Sequence, residues 1–264
     1  MEIVERVVEH AQGEPRPLQI LFVHGAWRDA SAWKPLSSRL ASRGWGSFAL
    51  SLPGHGRSTM HKGEVGHYTL QDGARLLAGE LERTTPRPVV VAHDVYAAVA
   101  LRASALIAPA ALALLSPVPL GGLKGAFARL LFRRPATTLR SLFADRFTNP
   151  FAGDPEFARA FFLGRDASQD AHEFARTLQP ESSTVLAELF LSHELRPRPE
   201  CPLLVVSPTQ GPFPARAQAR LAERLDARHV TVPGAPFDLA AEARAEETAA
   251  LLDGWLRKVL PDAD

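Results

Sequence analysis

Short, almost wholly apolar runs recur along this chain, each followed by a stretch with helical periodicity. Residues 19–23, 48–52, 89–92, 111–116, 203–207 and 229–232 have the length and β-rich character of strands. Helical patterns cover about 33–43, 96–106, 215–226 and 242–259. Thr69 is placed to cap a further helix reaching about Thr84, with Leu70, Leu76, Leu77 and Leu81 roughly on one face. Strands that are apolar throughout belong to a parallel sheet covered on both sides. Their alternation with helices requires crossover connections. The expected fold class is therefore α/β, a doubly wound and mostly parallel sheet.

The rhythm breaks between Gly121 and Arg198, where helical patterns continue without a convincing strand. Loop punctuation stands there at Pro135, Asn149-Pro150 and Gly153-Asp-Pro155. This predicts one domain, its core made of 1–120 and 199–264, with 121–198 inserted as a helical lid. Ligands in open α/β sheets bind outside the C-terminal strand ends, and a lid there makes a closed apolar pocket.

Hydrophobic residues make up 46% of the 264, enough for a sizeable core. Thirty basic residues against 29 acidic ones leave a net charge of +1, which argues against bulk nucleic acid as a partner. Cys201 is the lone cysteine, so neither a disulfide framework nor a cysteine metal cluster is available. No uncharged run approaches the ~18–20 residues of a membrane span, and Glu5 and Arg6 interrupt the first apolar stretch, unlike a signal peptide. No metal-ligand spacing and no phosphate-binding glycine loop is present. A cytoplasmic, cofactor-independent protein is expected, monomeric or homodimeric. Its expected partner is an apolar small molecule, with no nucleic acid and no membrane.

Three motifs carry a resemblance. Leu21-Phe-Val-His-Gly-Ala-Trp27 joins a strand to a loop, Ser51-Leu-Pro-Gly-His-Gly-Arg-Ser58 follows the next strand, and Val89-Val-Val-Ala-His-Asp-Val-Tyr96 runs from strand through turn to helix. Together they resemble the α/β-hydrolase superfamily, in its lidded esterase and hydroxynitrile-lyase-like branch. The resemblance implies an oxyanion hole from the backbone of Ala26 or Trp27 together with Val95. It also implies a Gly-x-Ser-x-Gly elbow, whose frame here reads Ala92-His-Asp-Val-Tyr96. Asp94 then stands at the nucleophile position, and the bulk of Tyr96 should open the turn or shift the helix. The acid position falls on Gly211 (or Gln210 with a one-residue slip), and the histidine position falls on Phe237. All three triad positions are replaced, which excludes serine ester hydrolysis of the usual kind.

Relatives that attack with an Asp need a histidine to hydrolyse the ester formed, and Phe237 is not one. The preferred reading is a non-hydrolytic lyase, isomerase or cyclase type of enzyme, with Asp94 as general acid or base in an apolar pocket. Against it stands a silent relative that binds a hydrophobic ligand or a protein, with Asp94 merely capping a helix. A hydrolase using Asp94 or lid residues is the weaker alternative. Trp27, Tyr96, Phe237, Phe127 and Phe161 are the candidate substrate-lining residues. His24 is expected to brace the oxyanion loop, His93 to pack beneath the elbow, and Asp29 and Asp238 to serve turns. His172 and His193 of the lid could reach the pocket.

Overall fold

The computed structural model describes residues 4–60, 65–133, 135, 154–164, 169–191 and 198–261. Seven strands form one sheet: β1 (Arg6–Glu9), β2 (Ile20–Val23), β3 (Ser47–Leu50), β4 (Val89–His93), β5 (Ala111–Leu115), β6 (Leu203–Pro208) and β7 (Arg228–Val232). Their order is β1-β3-β2-β4-β5-β6-β7, and only β1 pairs antiparallel. The expected fold class is the observed one. The strand absent from the sequence reading is β1, whose residues are mostly exposed and include charges at both ends. An edge strand with one partner needs no apolar run, so it leaves no run to read.

Helices cover both faces of the sheet. On one side α1 (Lys34–Ala41) and α9 (Ala245–Val259) pack with Ile20, Phe22, Val89, Val91, Leu204 and Val206. On the other, α2 (Leu70–Arg83), α3 (Ala97–Leu106) and α8 (Ala215–Leu225) pack with Leu21, Val23, Val90, Ala92, Leu203 and Val205. Alternate residues of the central strands β2–β6 serve opposite cores, which is why those strands are almost wholly apolar, while the edge strands β1 and β7 are not. Thr69 caps α2 in a full capping box with Asp72. Burial of Leu70, Ala74, Leu77 and Leu81 docks that helix, each leucine contributing about 1.5–3 kcal/mol.

Between β5 and β6 the described residues are helical: α4 (Lys124–Arg133), α5 (Pro155–Phe161), α6 (Ala171–Arg176) and α7 (Ser183–Leu191). Asp154-Pro155, read above as loop punctuation, is instead the cap and first residue of α5. Asn149, Pro150, Gly153 and His193 lie outside the described residues. The insertion is stitched to the core: Ser182 Oγ donates to the Tyr68 carbonyl at 2.6 Å, and the Leu70 N–H to Glu188 Oε2 at 2.8 Å. Among the described residues no helix is long and apolar enough to cross a membrane.

Candidate active site

β4 ends at His93, and the chain turns sharply through Asp94, whose φ is +52°. A side chain there is strained unless its surroundings hold it. The turn is tight because Gly25 lies against it: a Cβ on Gly25 would sit 2.6 Å from His93 Nδ1 and 3.1 Å from Asp94 Cβ. A 3-10 turn, Asp94–Tyr96, leads into α3, whose N-terminus has no side-chain cap. Asp94 is therefore not the cap of that helix. Its carboxyl is buried and its pKa is pushed up to about 7, chiefly by loss of solvent. The Val95 N–H opposes that rise, the nearby charge of Glu181 adds to it, and the Ala26 N–H opposes it again. Two amides at the positions where the resemblance implies oxyanion donors thus lie near enough to favour the Asp94 carboxylate.

The third such donor, Trp27, is held elsewhere. Its φ is +59°, its N–H donates to Glu181 Oε2 at 2.9 Å, and its carbonyl accepts from the Gln179 N–H at 2.9 Å. Glu181, fully buried on the inserted segment, also accepts from Tyr96 Oη at 2.5 Å and the Ser182 N–H at 2.7 Å. His55 Nε2 stands 3.4 Å from Glu181 Oε2, an ion pair rather than an aligned hydrogen bond. Burial alone would lower the His55 pKa and raise that of Glu181, yet their mutual attraction reverses both. Each partner thus favours the charged form of the other. Tyr96 ends the 3-10 turn and the helix begins only at Ala97; its ring is fully buried, edge-on to His24 and His55, with its hydroxyl donating to Glu181. No periodicity marks Glu181, but His55 lay within one of the quoted motifs, and a buried histidine needs a partner.

His24 Nδ1–H donates to the Gly25 carbonyl at 2.8 Å, and its Nε2 accepts from the Leu52 N–H at 3.0 Å. Both nitrogens are used in the neutral form, and burial drives the pKa down to about 3. His93 Nε2–H donates to the Pro236 carbonyl at 2.9 Å, and its pKa falls to about 4, mainly through burial. Asp29 accepts from the Ser31 N–H at 2.8 Å, and Asp238 from the Ala235 N–H at 2.8 Å, both closing turns.

At the acid position Gly211 has a φ of +116°, and a Cβ there would meet Pro236 at 2.7 Å. No carboxylate fits at that backbone. Gln210 is tied by its N–H to the Gly234 carbonyl at 2.9 Å. Phe237 begins a 3-10 turn and sits edge-on to Phe174, centroids 4.6 Å apart. Among the described residues one serine–histidine contact is found, Ser207 Oγ to His229 Nε2 at 2.8 Å. It joins β6 to β7 in the sheet, with Ser207 fully buried and α8 packed against both strands.

Trp27, Phe157, Phe161, Phe162, Phe174 and Phe237 form one connected set of ring contacts at 4.6–6.4 Å. Of the five residues proposed to line substrate, Trp27, Phe161 and Phe237 belong to it, while Phe127 instead packs on Phe190 at 5.3 Å. His172 is exposed at the start of α6, its N–H spent on Asp170. Phe157, Phe174 and Arg28 are members the sequence did not single out. The Arg28 guanidinium lies 4.9 Å from the Phe174 ring centre and 5.2 Å from that of Phe237.

A model of the alpha/beta hydrolase family matches residues 20–251. No curated protein matches the chain. Among solved structures, a putative aryl esterase from Burkholderia cenocepacia is 21% identical with a TM-score of 0.70, over 98% of this chain and 96% of that one. A hydrolase from Oleispira antarctica is 14% identical with a TM-score of 0.67, over 96% and 94%. The monoacylglycerol lipase of Paleococcus ferrophilus is 16% identical with a TM-score of 0.64, over 98% and 99%. At these identities the likeness is one of fold.

Proposed function

Because the chain belongs to the alpha/beta hydrolase family, and because a buried carboxyl stands at its elbow, we propose that it is a non-hydrolytic enzyme using Asp94 for proton transfer. The substrate is a small molecule held under the inserted helices, which act as a lid. The esterases and lipases among its structural likenesses would favour hydrolysis, but that chemistry needs a hydroxyl or thiol, a base and an orienting acid. Phe237 offers no base, and the contact of Gly211 with Pro236 leaves no room for the acid. An alkyl ester on Asp94 would have no histidine to release it.

The observation that carries the reading is the carboxyl of Asp94, titrating at about 7 and held by the Val95 and Ala26 amides. A group with that pKa is available as base and as acid near neutrality. As Asp94 takes a proton from a substrate carbon it loses charge and becomes a poorer acceptor. The amides of Val95 and Ala26 then pass to the oxygen on which negative charge develops, in the manner of an oxyanion hole. Reprotonation or loss of a leaving group completes an isomerisation, elimination or ring closure, with no covalent intermediate.

The test needs no knowledge of the natural substrate. 5-Nitrobenzisoxazole opens to 2-cyano-4-nitrophenolate when a base removes its C3 proton and the N–O bond breaks. The wild type should accelerate this opening with a rate that rises through about pH 7, because only ionised Asp94 is a base. Asp94→Asn should lose most of the rate, by about 10²–10⁴-fold. With p-nitrophenyl acetate neither protein should give a burst of nitrophenolate. Equal rates for wild type and Asp94→Asn would end the proposal.

One observation favours a second reading, a silent ligand-binding relative. The Trp27 amide, at one implied oxyanion position, already donates to Glu181, and the Val95 and Ala26 amides lie near enough to Asp94 to lower its pKa. Equal rates in the ring-opening assay, together with retained ligand binding, would select it.

A further inference from the structure

Arg28 is not explained by the acid–base chemistry or by the packing. It follows Trp27 at the edge of the site and is partly buried, with its Nε shielded from solvent. Burial lowers its pKa to about 10, while Asp29 raises it. Among the described residues its guanidinium has one hydrogen-bond partner, a neutral one: Nη1 donates to Thr177 Oγ1 at 2.7 Å. Its Nε–H is buried without an acceptor. Among the described residues no carboxylate forms an ion pair with it, and neighbouring Asp29 is committed to Ser31 and Gln179. Two phenylalanine rings hold the guanidinium in place.

A guanidinium whose Nε is withdrawn from water normally has an anion beside that nitrogen. Here the chain supplies aromatic faces and a hydroxyl, and leaves the Nε–Nη2 edge, the fork that matches a carboxylate, unused. The second ring over the cation is Phe237, which occupies the histidine position. The loop before it is tied to the elbow through the bond of His93 to the Pro236 carbonyl.

We infer that Arg28 is a carboxylate-binding residue, and that the natural substrate is a small organic acid with an apolar or aromatic body. The carboxylate pairs with Arg28, the body lies on the ring set of Trp27, Phe161 and Phe237, and a carbon beyond it faces Asp94. This narrows the class from an apolar molecule to an amphipathic acid. It rests on the acid–base reading for the role of Asp94 but not for binding.

Phenylacetate and its uncharged isostere phenylacetamide are the probes, with affinity read by calorimetry. Phenylacetate should bind the wild type at least ~10-fold more tightly than phenylacetamide, the scale of a charge-assisted pair. Arg28→Met keeps the stem between the rings and should abolish that preference while leaving phenylacetamide binding and the thermal midpoint near wild type. Asp94→Asn should bind phenylacetate as well as or better than the wild type, since a nearby negative charge is removed. Loss of ring-opening activity dependence on Asp94 with the preference intact would defeat the acid–base reading alone. Equal affinity for the two probes in the wild type, binding of neither, or a preference that survives Arg28→Met would overturn the role of Arg28. So would a fall in thermal midpoint with no change in preference, which marks Arg28 as packing only.

Discussion

Phe237, Pro236 and Gly211 act on one another across 26 residues of sequence. The motif implies Phe237 at the histidine position and Gly211 at the acid position. Their coupling was not legible there, because it depends on a backbone φ of +116° and on where Pro236 lands in space. With Pro236 in place, restoring the acid alone would force a Cβ into the proline ring. Phe237→His therefore gains nothing: the new imidazole would lack an orienting acid and a hydroxyl to activate, and would face the Arg28 cation. We expect no measurable hydrolysis of p-nitrophenyl acetate by this variant. Its unfolding free energy should fall by about 1–3 kcal/mol, because the contacts with Phe174 and Arg28 are lost. Robust ester turnover would contradict this account of the site.

The inserted segment and the core meet at Glu181. One carboxylate there satisfies the Trp27 amide, the Tyr96 hydroxyl and the His55 cation, and so fixes a loop, the elbow helix and the insertion together. Removing one member leaves the others buried and unpaired, so Glu181→Ala should cost about 3–5 kcal/mol, and Glu181→Gln less. The pH dependence has a definite sign. The lowered pKa of Glu181 gives stabilisation that is present above its ordinary value of 4.5 and lost in acid. The raised pKa of His55 gives stabilisation that is full below 6.5 and lost as pH rises through its folded value. The gap between wild type and Glu181→Gln in urea unfolding should be widest near pH 5.5. It should narrow in alkali, and a flat gap would exclude an ionised pair. Elements of this kind divide by legibility. The six strands β2–β7 could be read to within a residue or two: β2–β6 because both faces are buried, and β7, an edge strand, because Val230 and Val232 still pack on the core. β1 could not, being an exposed edge, and the accommodation of Tyr96 could not, because its partner is 85 residues away. A side chain that looks too large for a turn in sequence is not too large when a buried acceptor stands ready for it.

At the scale of the whole molecule, three buried groups set opposing slopes on stability against pH. Asp94 keeps its proton in the fold up to about 7 but releases it at 3.8 when unfolded. The unfolded chain therefore binds fewer protons between those values, and stability falls as pH rises through them. His24 and His93, lowered to about 3 and about 4 from 6.5, do the opposite: the unfolded chain takes up protons first, and stability falls as pH drops below 6.5. The difference between wild type and Asp94→Asn cancels the histidines and isolates the carboxyl. At about 1.4 kcal/mol per pKa unit, Asp94→Asn should be near wild type in stability at pH 4. It should become more stable by roughly 2–4 kcal/mol at pH 8. Chemical denaturation at the two pH values measures this directly. On the proposed role of Asp94, the fold loses stability in the pH range where the ionised base is most abundant. Stabilisation by Asp94→Asn at pH 8, accompanied by loss of the ring-opening rate, would place both effects on one proton. A difference that does not change with pH would show that the carboxyl titrates normally, and the proposed base would then be too weak for the chemistry assigned to it.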